Sequence, residues 1–389
     1  MIRKGFLLLL LIFICQSLSA GEWLLADSGS SVFLPEGWGI YDQDEPGRIA
    51  FTNPENSIRF QVTLYPGNTY DSDMRMMEDH LSALNVLEEE RSQFLYQGKS
   101  CSLADILFKS GEAQIRGWFL FIDRDDSDYY LTVITNPEDY QTSLPLILSC
   151  LDGFSADQAG RCEPGPVSAL ISSGQGTMQE DLLSFQGQNL TYLWNQGREE
   201  ASRLLVEREA SILSGYKEPE LFDEAWKRYY QMIYRDSAPD LEDLSSRLKK
   251  KLHVLDNREK AETLLSWLQD FEYGSTDRFS DLLTPTECLL KERGDCDALA
   301  LVYIMLLNHM DIPAVLMVSR KYSHALAAVA VEKEGAHFAL NGQNYVVAEM
   351  TKKVDLGQIS ADMADLRHWV VVPFSGYEKG ILPLDSSNN

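Results

Sequence analysis

The chain has 389 residues, with 59 Asp and Glu against 34 Lys and Arg, for a formal net charge of -25. That length is enough for two domains, each with its own core. So acidic a chain repels phosphate, which argues against nucleic acid as a partner, and the short basic run Lys249-Lys250-Lys251 reads as a solvated helix face.

Arg3 and Lys4 precede an apolar run from Phe6 to Ile14, and small residues follow at Ser17, Ser19 and Ala20. That order predicts a signal peptide over residues 1–20, cut near Ala20, and so a chain exported to the periplasm or the extracellular space. The apolar run is too short for a membrane span, and no later stretch is long and apolar enough for one. A lipid anchor at Cys15 is disfavoured, because the residue before it, Ile14, is not small. Export permits disulfides. The mature chain would keep Cys101, Cys150, Cys162, Cys288 and Cys296, an odd number, so at least one thiol stays free within a single chain. Cys101 with Cys150 is the expected bridge, and Cys150 with Cys162 its competitor. No spacing suits a metal or a redox pair, and no cofactor is implied.

Residues 22–155 read as α+β. Ile58, Phe60, Val62 and Leu64 alternate with polar residues, as in a half-buried strand. Met74, Met77, Leu81 and Leu84 follow helical spacing behind Asp71-Ser72-Asp73. Strands are expected near 102–109, 113–122 and 129–135, with a closing helix near 140–151. The opening string Val32-Phe33-Leu34-Pro35-Glu36-Gly37-Trp38 and this element order resemble a PsbP-like sheet-and-helix module. It carries no catalytic constellation, and His80, among acidic residues on a helix, is expected at the surface. Residues 156–178, rich in glycine, proline and serine, read as a linker. From about 180 to 272 helix formers dominate. Phe222, Trp226, Tyr229, Tyr230 and Ile233 form an apolar stripe suited to packing, and Asn257 begins a helix through Leu264, Leu265 and Leu268.

Chemistry concentrates in Arg293-Gly294-Asp295-Cys296-Asp297-Ala298-Leu299-Ala300-Leu301. The apolar run to Leu307 predicts a buried helix, with Cys296 in its first turn. There the helix dipole and free backbone N–H groups favour a thiolate and can donate to an oxyanion. The flanking aspartates oppose that charge, so the cysteine needs a base. His309 is too far along the same helix and reads as a surface or capping residue. His324, at the start of His324-Ala325-Leu326-Ala327, is preferred over His337. Glu349 closes the apolar run Tyr345-Val346-Val347-Ala348 and needs a partner there, since burying a lone charge is costly. It is the expected orienting acid, with Asp355 as backup.

Gly294-Asp295-Cys296-Asp297, Asp311-Ile312-Pro313-Ala314, His324-Ala325 and Glu349-Met350-Thr351 resemble, in order, the transglutaminase-like superfamily, especially its bacterial cysteine proteinase branch. The resemblance covers about 260–360. It departs from the family pattern at Asp311, where glycine is usual, and at Glu349, where aspartate is commoner. It implies a Cys296, His324, Glu349 triad, and Gln269 or Trp267 as a side-chain oxyanion donor, with packing as their alternative role. The expected fold is α+β: an N-terminal antiparallel-sheet-and-helix module, a helical middle segment and a C-terminal papain/transglutaminase-like α+β domain within 179–389.

The expected activity is that of an exported thiol enzyme acting on peptide or glutamine amide bonds of a protein or peptide substrate. Hydrolysis is favoured over crosslinking, because no calcium site is evident. The alternative is a noncatalytic periplasmic or surface binding protein that uses the same fold as a scaffold. In either case the N-terminal module could recognise a protein partner. A disulfide from Cys296 to Cys288 would occupy the nucleophile, but the two lie on opposite sides of a glycine turn.

Overall fold

A computed structural model describes residues 17–19, 21–25, 29–43, 45, 47–67, 69–174 and 176–374. The expected signal peptide and Cys15 fall outside the described residues, apart from one short strand at 17–19. The chain divides into two units: residues 1–161 with 165–170, and residues 162–164 with 171–389.

In the first unit, β1 (Ser17–Ser19), β2 (Glu22–Leu25), β3 (Ser30–Phe33) and β11 (Phe154–Ser155) make one small sheet. The main sheet is antiparallel and seven-stranded. Its strands are β4 (Gly39–Asp42), β5 (Arg48–Thr52), β6 (Ile58–Pro66), β7 (Asn85–Tyr96), β8 (Lys99–Ser110), β9 (Ala113–Asp123) and β10 (Ser127–Thr135), in the order 4-5-6-10-9-8-7. Helix α1 (Asp73–Ser82) starts where Ser72 accepts a hydrogen bond from the Arg75 N–H at 3.1 Å. It buries Met76, Met77 and Leu81 against Ala104, Ile106, Phe119 and Phe121 of the sheet. Helix α2 (Tyr140–Asp152) closes the module.

Strand β7 escapes a sequence reading. Glu88-Glu89-Glu90-Arg91 lies on an edge strand exposed on both faces, so no apolar alternation marks it. His80 is no plain surface residue. Its ring stacks on Tyr130 with centroids 4.0 Å apart, and its Nε2 meets the Tyr65 hydroxyl at 3.1 Å. Burial among these rings pushes its pKa down. Cys101 is buried as a free thiol, so the expected Cys101–Cys150 bridge is not made.

The chain-breaker-rich segment 156–178 carries local structure among its described residues. It contains a helical turn at Ala159–Cys162 and helix α3 (Pro166–Ser173). The Asp152 carboxylate accepts from the Val167 and Ser168 N–H groups at 2.8 and 3.0 Å, satisfying donors that a helix start leaves open.

The second unit begins with a hairpin where helix formers had suggested a helix: β12 (Met178–Phe185) and β13 (Gln188–Asn195). The turn decides it, because Gln186 and Gly187 both hold positive φ, 51° and 71°, the requirement of a tight two-residue hairpin. Then come α4 (Gln196–Ser214), α5 (Pro219–Ser237), α6 (Glu242–Lys251) and α7 (Asn257–Leu268). The lysine run ends α6, where the dipole is negative, and Lys249 pairs with Asp311 at 2.6 Å. The short parallel pair β14 (Glu272–Tyr273) and β15 (Arg293–Gly294) flanks α8 (Pro285–Lys291) and leads into α9 (Cys296–His309).

Helix α9 is buried on every side from Ala298 to Leu307. It packs on a five-stranded antiparallel sheet of β16 (Ala314–Ser319), β17 (His324–Val329), β18 (His337–Leu340), β19 (Gln343–Ala348) and β20 (Val370–Val372), in the order 18-19-17-16-20. Asp311, in the turn between α9 and β16, has φ 61°, the conformation its usual glycine would adopt and one that aspartate tolerates. Among the described residues no helix is long and apolar enough to cross a membrane.

Gly294 marks a tight approach. A Cβ there would lie 2.9 Å from the Cys288 sulfur and 3.1 Å from Leu299 Cγ. Gly294→Ala should therefore destabilise the second unit by about 1–3 kcal/mol, read as a lower urea midpoint with an unchanged slope. An unchanged midpoint would mean that α8 and α9 separate freely.

Candidate active site

Cys296 opens α9. The residue before it, Asp295, is the N-cap, with extended backbone and a carboxylate accepting from the Ala298 N–H at 3.1 Å. The cap fixes where the helix starts, and so places Cys296 in the first turn, partly exposed. The backbone N–H groups of Asp297 and of Ala325, the residue after His324, favour its thiolate form. Cys296 and Cys288 are both free thiols, so no disulfide occupies the sulfur.

His324 begins β17 behind Ser323, whose φ of 45° turns the β16–β17 hairpin. Strands β17 and β19 are antiparallel, with Ala327 opposite Ala348. Continuing that register sets Glu349 opposite Leu326, two residues from His324 on the same face. The side chains meet there: His324 Nε2 lies 2.8 Å from Glu349 Oε2. Carboxylate contact at Nε2 leaves Nδ1 as the ring nitrogen available to a second partner. Trp369 covers the imidazole edge-on, with centroids 6.5 Å apart.

Glu349 is only 3% exposed, and each of its oxygens is satisfied. Oε2 takes His324, while Oε1 accepts from the Thr351 N–H at 2.8 Å and its hydroxyl at 2.7 Å. Burial alone would raise this carboxyl, but the hydrogen bonds from His324 and Thr351 outweigh it and hold the pKa below the usual value. Thr351 belongs to a motif visible in the sequence, yet its role as a clamp on Glu349 was not.

The two anticipated oxyanion donors are committed elsewhere. Gln269 spends its amide N–H groups on the Glu349 and Val354 carbonyls, at 2.8 and 3.0 Å, and so clips the loop after β19. The Trp267 indole donates to the Ser184 carbonyl at 2.8 Å, and its ring packs edge-on to Phe185 and Phe271. Asp355 is exposed, and it is Glu349 that contacts His324. His337 is exposed on edge strand β18, with Nδ1 near the Gly335 carbonyl. His309, at the end of α9, is half-buried rather than at the surface. It bonds the Ser245 hydroxyl at 2.9 Å, and burial pushes its pKa down to about 4.

The electrostatics of Cys296 reverse the simplest expectation. A helix start favours thiolate, but burial, then Asp297 and Asp295, push the thiol up to about 12, against the two backbone N–H bonds. Asp295 is itself raised far above the carboxylate range, by burial and by its neighbour Asp297. Tyr230 of α5 donates its hydroxyl to Asp297 Oδ2 at 2.8 Å. Nothing in the helical spacing of Tyr230 distinguishes it from Tyr229 in the apolar stripe of α5. Tyr273, on β14, is 64% exposed. Among the described residues no group of three or more His, Cys, Asp or Glu could hold a metal ion.

The sequence model of the Transglutaminase-like superfamily matches residues 245–358, which run from α6 to just past Glu349. The second unit carries a transglutaminase-like domain. No curated protein matches the chain. Among solved structures, the chain is similar to cyanobacterial PsbP (CyanoP) of Synechocystis sp. PCC 6803, at 13% identity over 36% of this chain and 96% of that one, with a TM-score of 0.29. It is also similar to a candidate cysteine protease of Cytophaga hutchinsonii, at 14% identity over 82% and 81% of the two chains, with a TM-score of 0.26. A protein of Bacteroides thetaiotaomicron matches at 9% identity over 92% and 97%, with a TM-score of 0.23.

Proposed function

We propose that the chain is an exported thiol hydrolase that cleaves peptide or glutamine amide bonds through Cys296, His324 and Glu349. The observation that carries the reading is the Glu349–His324 contact at 2.8 Å, on the strand whose Ala325 N–H favours the Cys296 thiolate. Export rests on Arg3, Lys4 and the apolar run that follows.

Because the resting sulfur is a thiol, proton removal accompanies attack. His324 takes the S–H proton as sulfur bonds to the amide carbon, and Glu349 stabilises the imidazolium that forms. The backbone N–H of Cys296 itself, at the start of α9, receives the oxyanion, since Gln269 and Trp267 are engaged elsewhere. The C–N bond then breaks, and the amine or ammonia leaves with the proton from His324. Water attacks the thioester with His324 again as base, releasing a carboxylic acid and restoring the thiol.

The test is mature protein incubated with a glutamine-containing peptide library and a labelled primary amine. Cleaved or deamidated peptides should dominate. Predominant amine incorporation would overturn the hydrolytic assignment, and no product of either kind, with no mass adduct on Cys296, would overturn the enzyme.

A further inference from the structure

We propose that Tyr230 is a positioning residue for Cys296, holding the Asp297 carboxylate off the neighbouring sulfur. The inference rests on Cys296 being the nucleophile of the reading above. Tyr230 lies on α5 (Pro219–Ser237), outside the residues 245–358 that match the superfamily. The helix lying N-terminal to the matched segment thus reaches the residue beside the nucleophile.

The geometry is specific. Tyr230 is 3% exposed, and its hydroxyl donates to Asp297 Oδ2 at 2.8 Å. A buried phenol needs a partner, and a carboxylate is a strong one. Asp297 follows Cys296 directly in the first turn of α9, and its negative charge disfavours the thiolate. Left alone, that carboxylate could accept the S–H proton in a hydrogen bond and stabilise the thiol further. With Tyr230 bonded to it, one oxygen is engaged and its charge partly offset. Tyr230 is itself held in place by Tyr229, edge-on at 4.9 Å, and by Trp226 at 6.4 Å. The other groups in the field of the sulfur are Asp295 on its own turn, the Ala325 N–H that follows His324 on β17, and Tyr273 on β14. Asp281 adds negative charge to the same neighbourhood. Asp281, Asp295 and Asp297 are all carboxylic acids, so a donor that quiets one of them acts on the sulfur.

The experiment is iodoacetamide alkylation of Cys296 in the full mature protein, followed by peptide mapping, from pH 7 to 10. Tyr230→Phe should slow alkylation about tenfold at each pH, equal to a one-unit rise of the thiol pKa. Asp297→Asn should speed it about tenfold. In the Asp297→Asn background, Tyr230→Phe should have no effect, because the charge it acts through is gone. If Tyr230→Phe changes nothing, speeds the reaction, or slows it equally in both backgrounds, Tyr230 only packs and the proposal fails. Should Tyr230→Phe not fold, Asp297→Asn alone decides, since an unchanged rate there also overturns it. Alkylation needs no substrate. A protein that cleaves no amide can still pass this test, and a failed test leaves the amidase measurement standing.

Discussion

Cys296→Ala should lower amide turnover by at least about a thousandfold, to the level that binding and oxyanion contacts alone sustain. The neighbouring Cys288 cannot take over: it is wholly buried in α8, and burial disfavours its thiolate. The fold should survive, because Cys296 is partly exposed and the helix start is set by the Asp295 cap rather than by the cysteine. The thermal midpoint should stay within about 4 °C of the parent, equivalent to less than about 1 kcal/mol in a unit of this size. Activity and melting measured on one preparation check both halves. A variant that keeps full amidase activity would remove Cys296 from the chemistry.

Glu349→Gln should act on both activity and stability. The amide keeps the size of the side chain, but loses the charge that stabilises imidazolium. It can also donate to His324 where an acceptor is needed, which selects the wrong tautomer, so turnover should fall by roughly 10²–10⁴. The stability effect has a defined pH window. In the folded chain this carboxyl is held below its ordinary pKa by His324 and Thr351, so the unfolded chain binds its proton more readily. The stabilisation is present in full above the unfolded value, about 4.3, and fades as pH falls through the lower folded value. Wild type should therefore exceed Glu349→Gln by about 1–3 kcal/mol at pH 7, and the gap should close below about pH 4. Urea unfolding at both pH values measures it. A gap that does not depend on pH would show that shape, not charge, holds the strand end.

The two assignments constrain each other. If Cys296→Ala abolishes activity while Glu349→Gln leaves it intact, the cysteine reacts without an oriented base. The high thiol pKa makes that combination improbable on physical grounds: a sulfur that is protonated at rest depends on proton removal during attack.

Several features were legible because they are local. The apolar run after Cys296 marked a helix buried all round, and the Asp295 position marked its start. His324 and Glu349 each sit at the end of an apolar strand, where a polar group needs a partner. The positive φ of Asp311 agrees with its standing in a glycine position. Other features were not legible, for physical reasons. The hairpin at Met178–Asn195 is built from residues that also suit helices, and its two turn residues decide the matter. His80 lies among acids in sequence but among aromatic rings in space. Gln269 and Trp267 stand near the site in chain order, yet each turns its donor toward a carbonyl from another strand or loop.

By itself, the sequence determined three local placements: a cysteine at a helix start, a histidine opening a strand and a glutamate closing one, each set by short-range pattern. Only the tertiary structure decided their state. The β17–β19 register set Glu349 against His324, because strand pairing joins residues 25 positions apart. Packing around the start of α9 partly buried the sulfur beside two aspartates and raised its pKa, an outcome the helix dipole alone would have reversed. A tyrosine from α5, 67 positions away in the chain, came to rest on one of those aspartates. Burial and charge act through space, so the balance between thiol and thiolate at Cys296 is a property of the fold rather than of the motif.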